Sequence, residues 1–212
     1  MKIVTLLFIP FLFAIPTTQQ QPAPPPYLSK LESEVVREIN FARQHPDTYA
    51  KLIEQRKKFF NGKLYQPPGE VAILTKEGKK ALDEAIRFLR RTKPLPPMRP
   101  SKGMSLAARD HVKDQGPDGK LQHEGSDGSQ PWDRVSRYGD WQVTVGENIA
   151  YGEKTARDIV IGLIVDDGVP GRGHRKNIFN AEFLVIGVAF GEHKKYRTMC
   201  VIDFAGGFTE RK

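Results

Sequence analysis

A single cysteine, Cys200, stands in a 212-residue chain whose first residues read as a secretory leader, and that combination limits how the fold can be held. Small exported domains commonly rely on disulfides, and one thiol can form none internally, so this chain must be held by a buried core. With 39% hydrophobic residues it has enough apolar material for one well-packed domain and too little length for two comfortable ones. Cys200 itself lies in the β-rich run "YRTMCVIDFAGGF" and reads as a small buried hydrophobe.

The leader reading rests on Lys2 followed by an apolar run from Ile3 to Ile15 that contains Pro10. The run is shorter than the roughly 20 residues a membrane-spanning helix needs and has the n-region and h-region order of an export signal. We therefore expect a signal peptide over 1–18 and a secreted, extracellular protein. An uncleaved leader acting as a membrane anchor is the alternative, because "FAIPTT" lacks a clean small-x-small cleavage signal. A Gln/Pro-rich stretch over 19–28 reads as an extended tether, 29–208 as the folded domain, and 209–212 as a short tail.

Net charge is +8, unevenly spread. From Lys51 to Lys102 there are 14 Lys and Arg against 5 Asp and Glu, whereas from Gly103 to Pro170 the count is 7 against 12. The basic half could dock on an anionic surface or simply be solvated helix. Nucleic acid is not expected as a partner, since the aromatic interleaving that stacks bases is missing.

Periodicity orders the domain. "SKLESEVVREINFARQHP" opens with a Ser29-x-x-Glu32 capping box, aligns Leu31, Val35, Ile39 and Ala42, and stops at His45-Pro46. A second helix is expected from Pro46, with Asp47 as its cap. A third carries Leu82, Ile86 and Leu89 up to Pro94, and "SKGMSLAARDHVKDQGPDG" reads as a fourth ending at Gly116-Pro117. "WQVTVGENIAYG", "FLVIGVAFGEH" and "YRTMCVIDFAGG" read as strands, and "TARDIVIGLIVDDG" as a helix between the first two, begun at Thr155. The order implies an α+β fold layered around one sheet.

Polar residues fall at the ends of different elements: His123 before the turn-rich "EGSDGSQP", Glu147 in a strand, Asp166 and Asp167 closing a helix, and His174 after "GVPGRG". Dispersal of this kind is how loop ends assemble a cleft. His111 is expected at the surface or rim, His45 and His193 in loops, and Asn148, Arg175 and Asn177 as scaffold hydrogen-bonders. Ser126 and Ser129 lack the strand–nucleophile–helix context of a catalytic serine, and "GSDGS" is first a turn signal.

The pieces "EINFARQHPDTYA", "SLAARDHVKD", "HEGSDGS", "GENIAYG" and "DDGVPGRGHRKNIFN" leading into "IGVAFG" resemble the CAP superfamily, also called SCP domains: the cysteine-rich secretory, antigen 5 and plant pathogenesis-related proteins. The resemblance covers roughly residues 30–206 and implies a three-layer α/β/α sandwich whose cleft gathers two histidines and two acidic residues. It places His123, Glu147 and His174 on three of those positions. Asp166, with Asp167 adjacent, falls where animal and plant members carry Glu. With no disulfides, and "GHRKNIF" where those branches have an aromatic-rich "GHYTQVVW" type of segment, the chain resembles the bacterial-type branch.

Two imidazoles meeting at one wet spot can hold Zn²⁺ or another divalent cation, and His123 and His174 are the expected ligands. Two histidines are fewer than the three protein ligands of a catalytic zinc site, so weak, exchangeable metal is expected and no cofactor is required. Glu147 and Asp166 would orient the rings or act as acid and base groups. Each residue also has a plainer role: His174 as a hydrogen-bonded fold determinant and Glu147 as a clamp on a neighbouring loop. The favoured function is a non-enzymatic extracellular module that binds a lipid, sterol, glycan or protein. The alternative is a hydrolase acting on extracellular peptide or glycan, with His123, Glu147, Asp166 and His174 as its candidate catalytic residues.

Overall fold

The structure is a computed structural model and describes residues 25–211. The expected signal peptide and all of the tether up to residue 24 lie outside the described residues. In chain order the elements are α1 (Lys30–Gln44), α2 (Pro46–Arg56), β1 (Phe60–Asn61), β2 (Leu64–Tyr65), β3 (Ile73–Leu74), α3 (Lys79–Leu89), β4 (Arg99–Pro100), α4 (Lys102–Asp118), α5 (Pro131–Ser136), β5 (Gly139–Tyr151), α6 (Ala156–Val165), α7 (Gly173–Ile178), β6 (Val185–His193) and β7 (Arg197–Glu210).

The main sheet runs β4-β6-β7-β5, with β4 parallel to β6 and the other neighbours antiparallel. Strand alternation divides its side chains between two faces. Ala150, Ile186, Val188, Cys200, Ile202 and Phe204 face a large core with α1, α2, α3 and α6. Ile149, Val185, Ala189, Met199, Val201 and Ala205 face α4 and α5 in two smaller clusters. The molecule is thus an α/β/α sandwich built on one central sheet, as the layered reading implies. Glycines set the spacing of the second layer: a Cβ at Gly187 would run into the Met104 backbone, so α4 lies directly on β6.

Local chemistry explains most boundaries. The capping box at α1 forms, with Glu32 N–H donating to Ser29 Oγ at 3.3 Å and Ser29 N–H donating to Glu32 at 2.6 Å. Thr155 caps α6 and Ser101 caps α4 by accepting the Asp158 and Met104 amides at their hydroxyl oxygens, without the reciprocal bond. Three boundaries differ from the sequence reading. Asp47 does not cap α2; Pro46 starts it with its φ already set, and Asp47 falls in the first turn. Helix α4 continues through Pro117 to Asp118 and ends at left-handed Gly119, because proline near a helix end removes one bond without stopping the turn. Strand β7 extends through Thr209 and Glu210, so those residues are sheet and not tail. Glu210 accepts from Ser101 Oγ at 2.8 Å and from the first amides of α4, which pins the strand end to that helix.

Four short features go beyond the sequence reading: α5, α7, the edge strand β4 and the small sheet β1-β2-β3. Arg43 is also hidden in the amphipathic pattern of α1. It is fully buried and donates to the carbonyls of Pro96, Ile178, Asn180 and Phe183, tying α1 to the loops around α7. Burial pulls its guanidinium down to about 10.

Candidate functional site

The sequence-nominated histidines each meet a carboxylate. His123 Nδ1 lies 2.7 Å from Glu147 Oε1, and His174 Nδ1 lies 2.6 Å from Asp166 Oδ1. In both pairs the carboxylate is buried and the ring is not: the side chains are 1% and 2% exposed for Glu147 and Asp166, against 51% and 24% for His123 and His174. No hydrogen bond occupies Nε2 of either ring among the described residues, so the fixed end of each imidazole is Nδ1 and the unoccupied end is Nε2.

Glu147 is carried by β5 on the sheet face that meets α4 and α5. Its second oxygen accepts from buried Arg134 of α5 at 2.7 Å, and Arg134 also donates to the carbonyls of Ser129 and His123. One guanidinium therefore holds both the carboxylate and the backbone of the histidine that carboxylate orients. Burial raises the Glu147 carboxyl, but the His123 bond and the charge of Arg134 outweigh it, so the group sits below its ordinary value.

Directly across the ladder from Glu147 is Asp203. It is fully buried, and neither carboxyl oxygen has a hydrogen-bond partner. Desolvation, reinforced by the charge of Glu147, pushes it well above the carboxylate range, against a smaller opposing pull from Arg134. Burial thus biases Asp203 toward its neutral, protonated form.

The second pair is local. Asp166 ends α6 in the left-handed region at φ 57°, which Asp tolerates better than most residues. From there it accepts both the His174 backbone N–H at 3.0 Å and the ring, closing the loop into α7. Asn148 joins the two pairs, because it follows Glu147 on β5 and donates to the His174 carbonyl at 2.9 Å. Asn177 donates to Asn148 at 2.9 Å, and Arg175 donates to the Ile164 and Val165 carbonyls at the end of α6. These three are scaffold residues, as expected.

Other expectations require correction. Asp167 does not face the histidines. Its carboxylate accepts the amides of Lys76 and Glu77 at 2.6 and 2.8 Å and anchors the loop before α3, since consecutive residues after a helix end point apart. His111 is not at the rim; it is fully buried on α4, its Nε2 meets the Gln122 carbonyl at 2.9 Å, and burial lowers its pKa, leaving a neutral ring. His193 is the last residue of β6 and is buried, accepting Tyr196 N–H at Nδ1 and meeting the Lys120 carbonyl at Nε2. Ser126 donates to Asp114 and has no histidine partner. Cys200 is 1% exposed and its thiol is raised by burial, which removes it from thiolate chemistry.

Among the described residues no group of three or more His, Cys, Asp or Glu is arranged to hold a metal ion. Beside α7 lies a cavity of about 560 Å³, between α3 and the loop over 168–172. Neither histidine lines it, and its two arginines are occupied: Arg172 by Glu77 and Glu84, Arg175 by Glu84.

Comparison with known proteins identifies the family. Residues 84–204 match the model of the cysteine-rich secretory protein family, CAP, and the chain belongs to that family. It is 31% identical over 114 residues to the uncharacterized protein YkwD of Bacillus subtilis, a match covering 54% of this chain and 42% of that protein. The chain spans less than half of that relative's length. Among solved structures it is similar to an outer surface protein of Borrelia burgdorferi, with 15% identity, TM-score 0.45 and coverage of 77% and 90% of the two chains. It is also similar to an SCP-domain extracellular protein of Bacillus anthracis, with 22% identity, TM-score 0.42 and coverage of 60% and 39%.

Proposed function

We propose that this CAP-domain protein is a secreted, non-enzymatic binding module whose two histidines take a divalent cation weakly through Nε2. The observation that carries the reading is the pairing of each ring, through Nδ1, with a buried carboxylate. That pairing fixes the tautomer with Nε2 bare, the form in which imidazole binds Zn²⁺, and it matches the carboxylate–histidine support found behind metal ligands. With two rings and no third protein ligand, the donor set fits an exchangeable ion completed by water and does not fit a tight structural site. When bound, the cation would offer open coordination positions to an oxygen-bearing ligand such as a glycan, lipid headgroup or peptide carbonyl.

Secretion is supported by the leader pattern in 1–18; among the described residues no helix is long and apolar enough to cross a membrane. One observation favours a second reading. A histidine held by a carboxylate is also a general-base arrangement, so hydrolysis of extracellular peptide or glycan is the rival. Calorimetric titration of Zn²⁺ into the wild type, His123→Ala and His174→Ala separates the outcomes. Weak binding in the wild type, lost in either variant and accompanied by no turnover of peptide or glycan substrates, is expected. No binding heat in the wild type would remove the cation, and chelator-sensitive or His-dependent turnover would replace the module with a hydrolase.

A further inference from the structure

We propose that the small sheet β1-β2-β3, inserted between α2 and α3, is a docking surface for anionic lipid bilayers. Leu64, Val71 and Leu74 would enter the apolar boundary while neighbouring lysines meet the headgroups. At 46%, 87% and 74% exposed they are, together with Ile73 at 56%, four of the ten large hydrophobic side chains that the described residues leave exposed. They lie within eleven residues of sequence, so the exposure is concentrated and not the scatter normal for a soluble surface.

The register sets Leu64 and Leu74 on one face and Ile73 on the other. Leu64 stands opposite Leu74, and such cross-strand partners share a face of the sheet. Tyr65 stands opposite both Phe60 and Ile73, and the opposite face is the anchored one: Phe60 packs on the main core, and Tyr65 packs on Phe60 and accepts from Arg56 at 3.3 Å. One face thus ties the sheet to the domain and leaves the leucine face outward, with Val71 in the loop between β2 and β3.

Charge selects the occupant. Residues 57–80 contain six lysines and two glutamates. Lys57 is paired with Asp83 at 2.6 Å, but among the described residues no carboxylate lies within ion-pair distance of Lys58, Lys63, Lys76, Lys79 or Lys80. Of the nearby acids, Glu77 is held by Arg172, Asp167 is occupied by the amides of Lys76 and Glu77, and Glu70 alone carries unopposed negative charge at the loop. Aliphatic tips on two-residue strands offer no pocket and no Trp or Arg anchor of the kind that fixes a protein partner. A fluid apolar layer needs no shape complementarity, and its anionic headgroups complement the lysines.

The test uses the full chain carrying Val71→Cys labelled with an environment-sensitive fluorophore; Cys200 is buried and stays unlabelled in the folded protein. On vesicles of phosphatidylcholine with phosphatidylglycerol the emission should shift to the blue and intensify, weakening as salt is added. Phosphatidylcholine alone should leave it unchanged. Because the probe reports residue 71, attachment through the apolar leader does not imitate the signal. Lys63→Gln/Lys79→Gln/Lys80→Gln should weaken partitioning roughly fivefold per lysine, and Leu64→Ser/Leu74→Ser should abolish the shift; all five residues are exposed, so folding should persist and circular dichroism verifies it. Emission unchanged on anionic vesicles, or shifted equally on neutral ones, overturns the proposal. So does a concentration-dependent dimer that the leucine variant abolishes when vesicles have no effect, since that would assign the face to a second copy of the chain.

Discussion

The two histidine–carboxylate pairs look alike at the ring and differ in everything behind it. His123 and Glu147 are 24 residues apart, brought together by a loop and a strand, and their alignment depends on a buried arginine from a third element. His174 and Asp166 are eight residues apart, and one carboxylate grips both the backbone and the ring of its partner. The first pair is therefore a product of tertiary packing and the second of local turn geometry. The same imidazole orientation has been reached by two routes with different vulnerabilities.

Arg134 is where that difference is largest. Replacing it by Met keeps much of the volume but leaves Glu147 beside Asp203 with no buried counter-charge, and breaking a buried ion pair costs about 3–5 kcal/mol. Urea unfolding of Arg134→Met should show a loss of that size, and the amides of 123–130 should exchange faster because the Ser129 and His123 carbonyls lose their donor. Exchange around His174 should be unaltered. If both loops loosened together, the two pairs would be one cooperative unit and the contrast would fail.

Asp166 is the matching test on the local side. Asp166→Ala removes both acceptors for His174 and places alanine at φ 57°, combining a lost buried hydrogen-bonding group with left-handed strain, about 2–3 kcal/mol together. Asp166→Asn should cost less, because Asn accepts left-handed backbone and keeps one acceptor. Equal losses for Ala and Asn in the same denaturation series would show that the backbone conformation contributes nothing.

Asp203 sharpens the comparison by pH, since only the Glu147 side contains a second buried acid. Its folded-state pKa is raised well above 3.8, so above that pH the native state retains a proton that the unfolded chain releases. Stability should therefore fall as pH rises, by about 1.4 kcal/mol per unit while the native proton is held. Glu147 contributes with the opposite sign: its pKa is lowered from 4.5, so its stabilisation is present above that value and lost on acidification through the folded-state pKa. Asp203→Asn should flatten that decline on the alkaline side. An unchanged slope between pH 5 and 8 would mean that Asp203 is ionised in the native state.

The sequence made the two sides of this comparison unequally readable. Asp166 and His174 sit near each other in the chain beside glycines and a helix end, signals that turn chemistry makes local. Glu147 and His123 were nominated by resemblance, but nothing in their spacing announced Arg134, because α5 is a six-residue helix in a segment dominated by turn formers. Asp203 was visible as an acid inside the apolar run "CVIDFAGG", yet its meaning depends on the register that sets it opposite Glu147, and register is a pairing property that one strand alone does not encode. The layered α+β order, four of the five long helices near their expected bounds and the three long strands followed from hydrophobic period and caps. The small sheet did not, since two-residue strands have too short a pattern to register. His111 and His193 were misplaced for a related reason: burial of a histidine is decided by what packs above it.

The gentlest probe is Ser126→Ala, which touches the loop carrying His123 and has no counterpart near His174. Asp114 of α4 holds that loop by accepting the Ser126 backbone N–H at 2.9 Å together with its hydroxyl. Alanine keeps the backbone bond and loses only the hydroxyl, at an exposed position where such changes stay within about 0.5 kcal/mol. Global stability should hardly move, while amide exchange over 123–129 should quicken slightly and any zinc heat should weaken without vanishing, because the His123 ring remains fixed by Glu147. Loss of zinc binding as complete as in His123→Ala would reverse the argument, showing that the loop and not the buried carboxylate sets the direction of the ring.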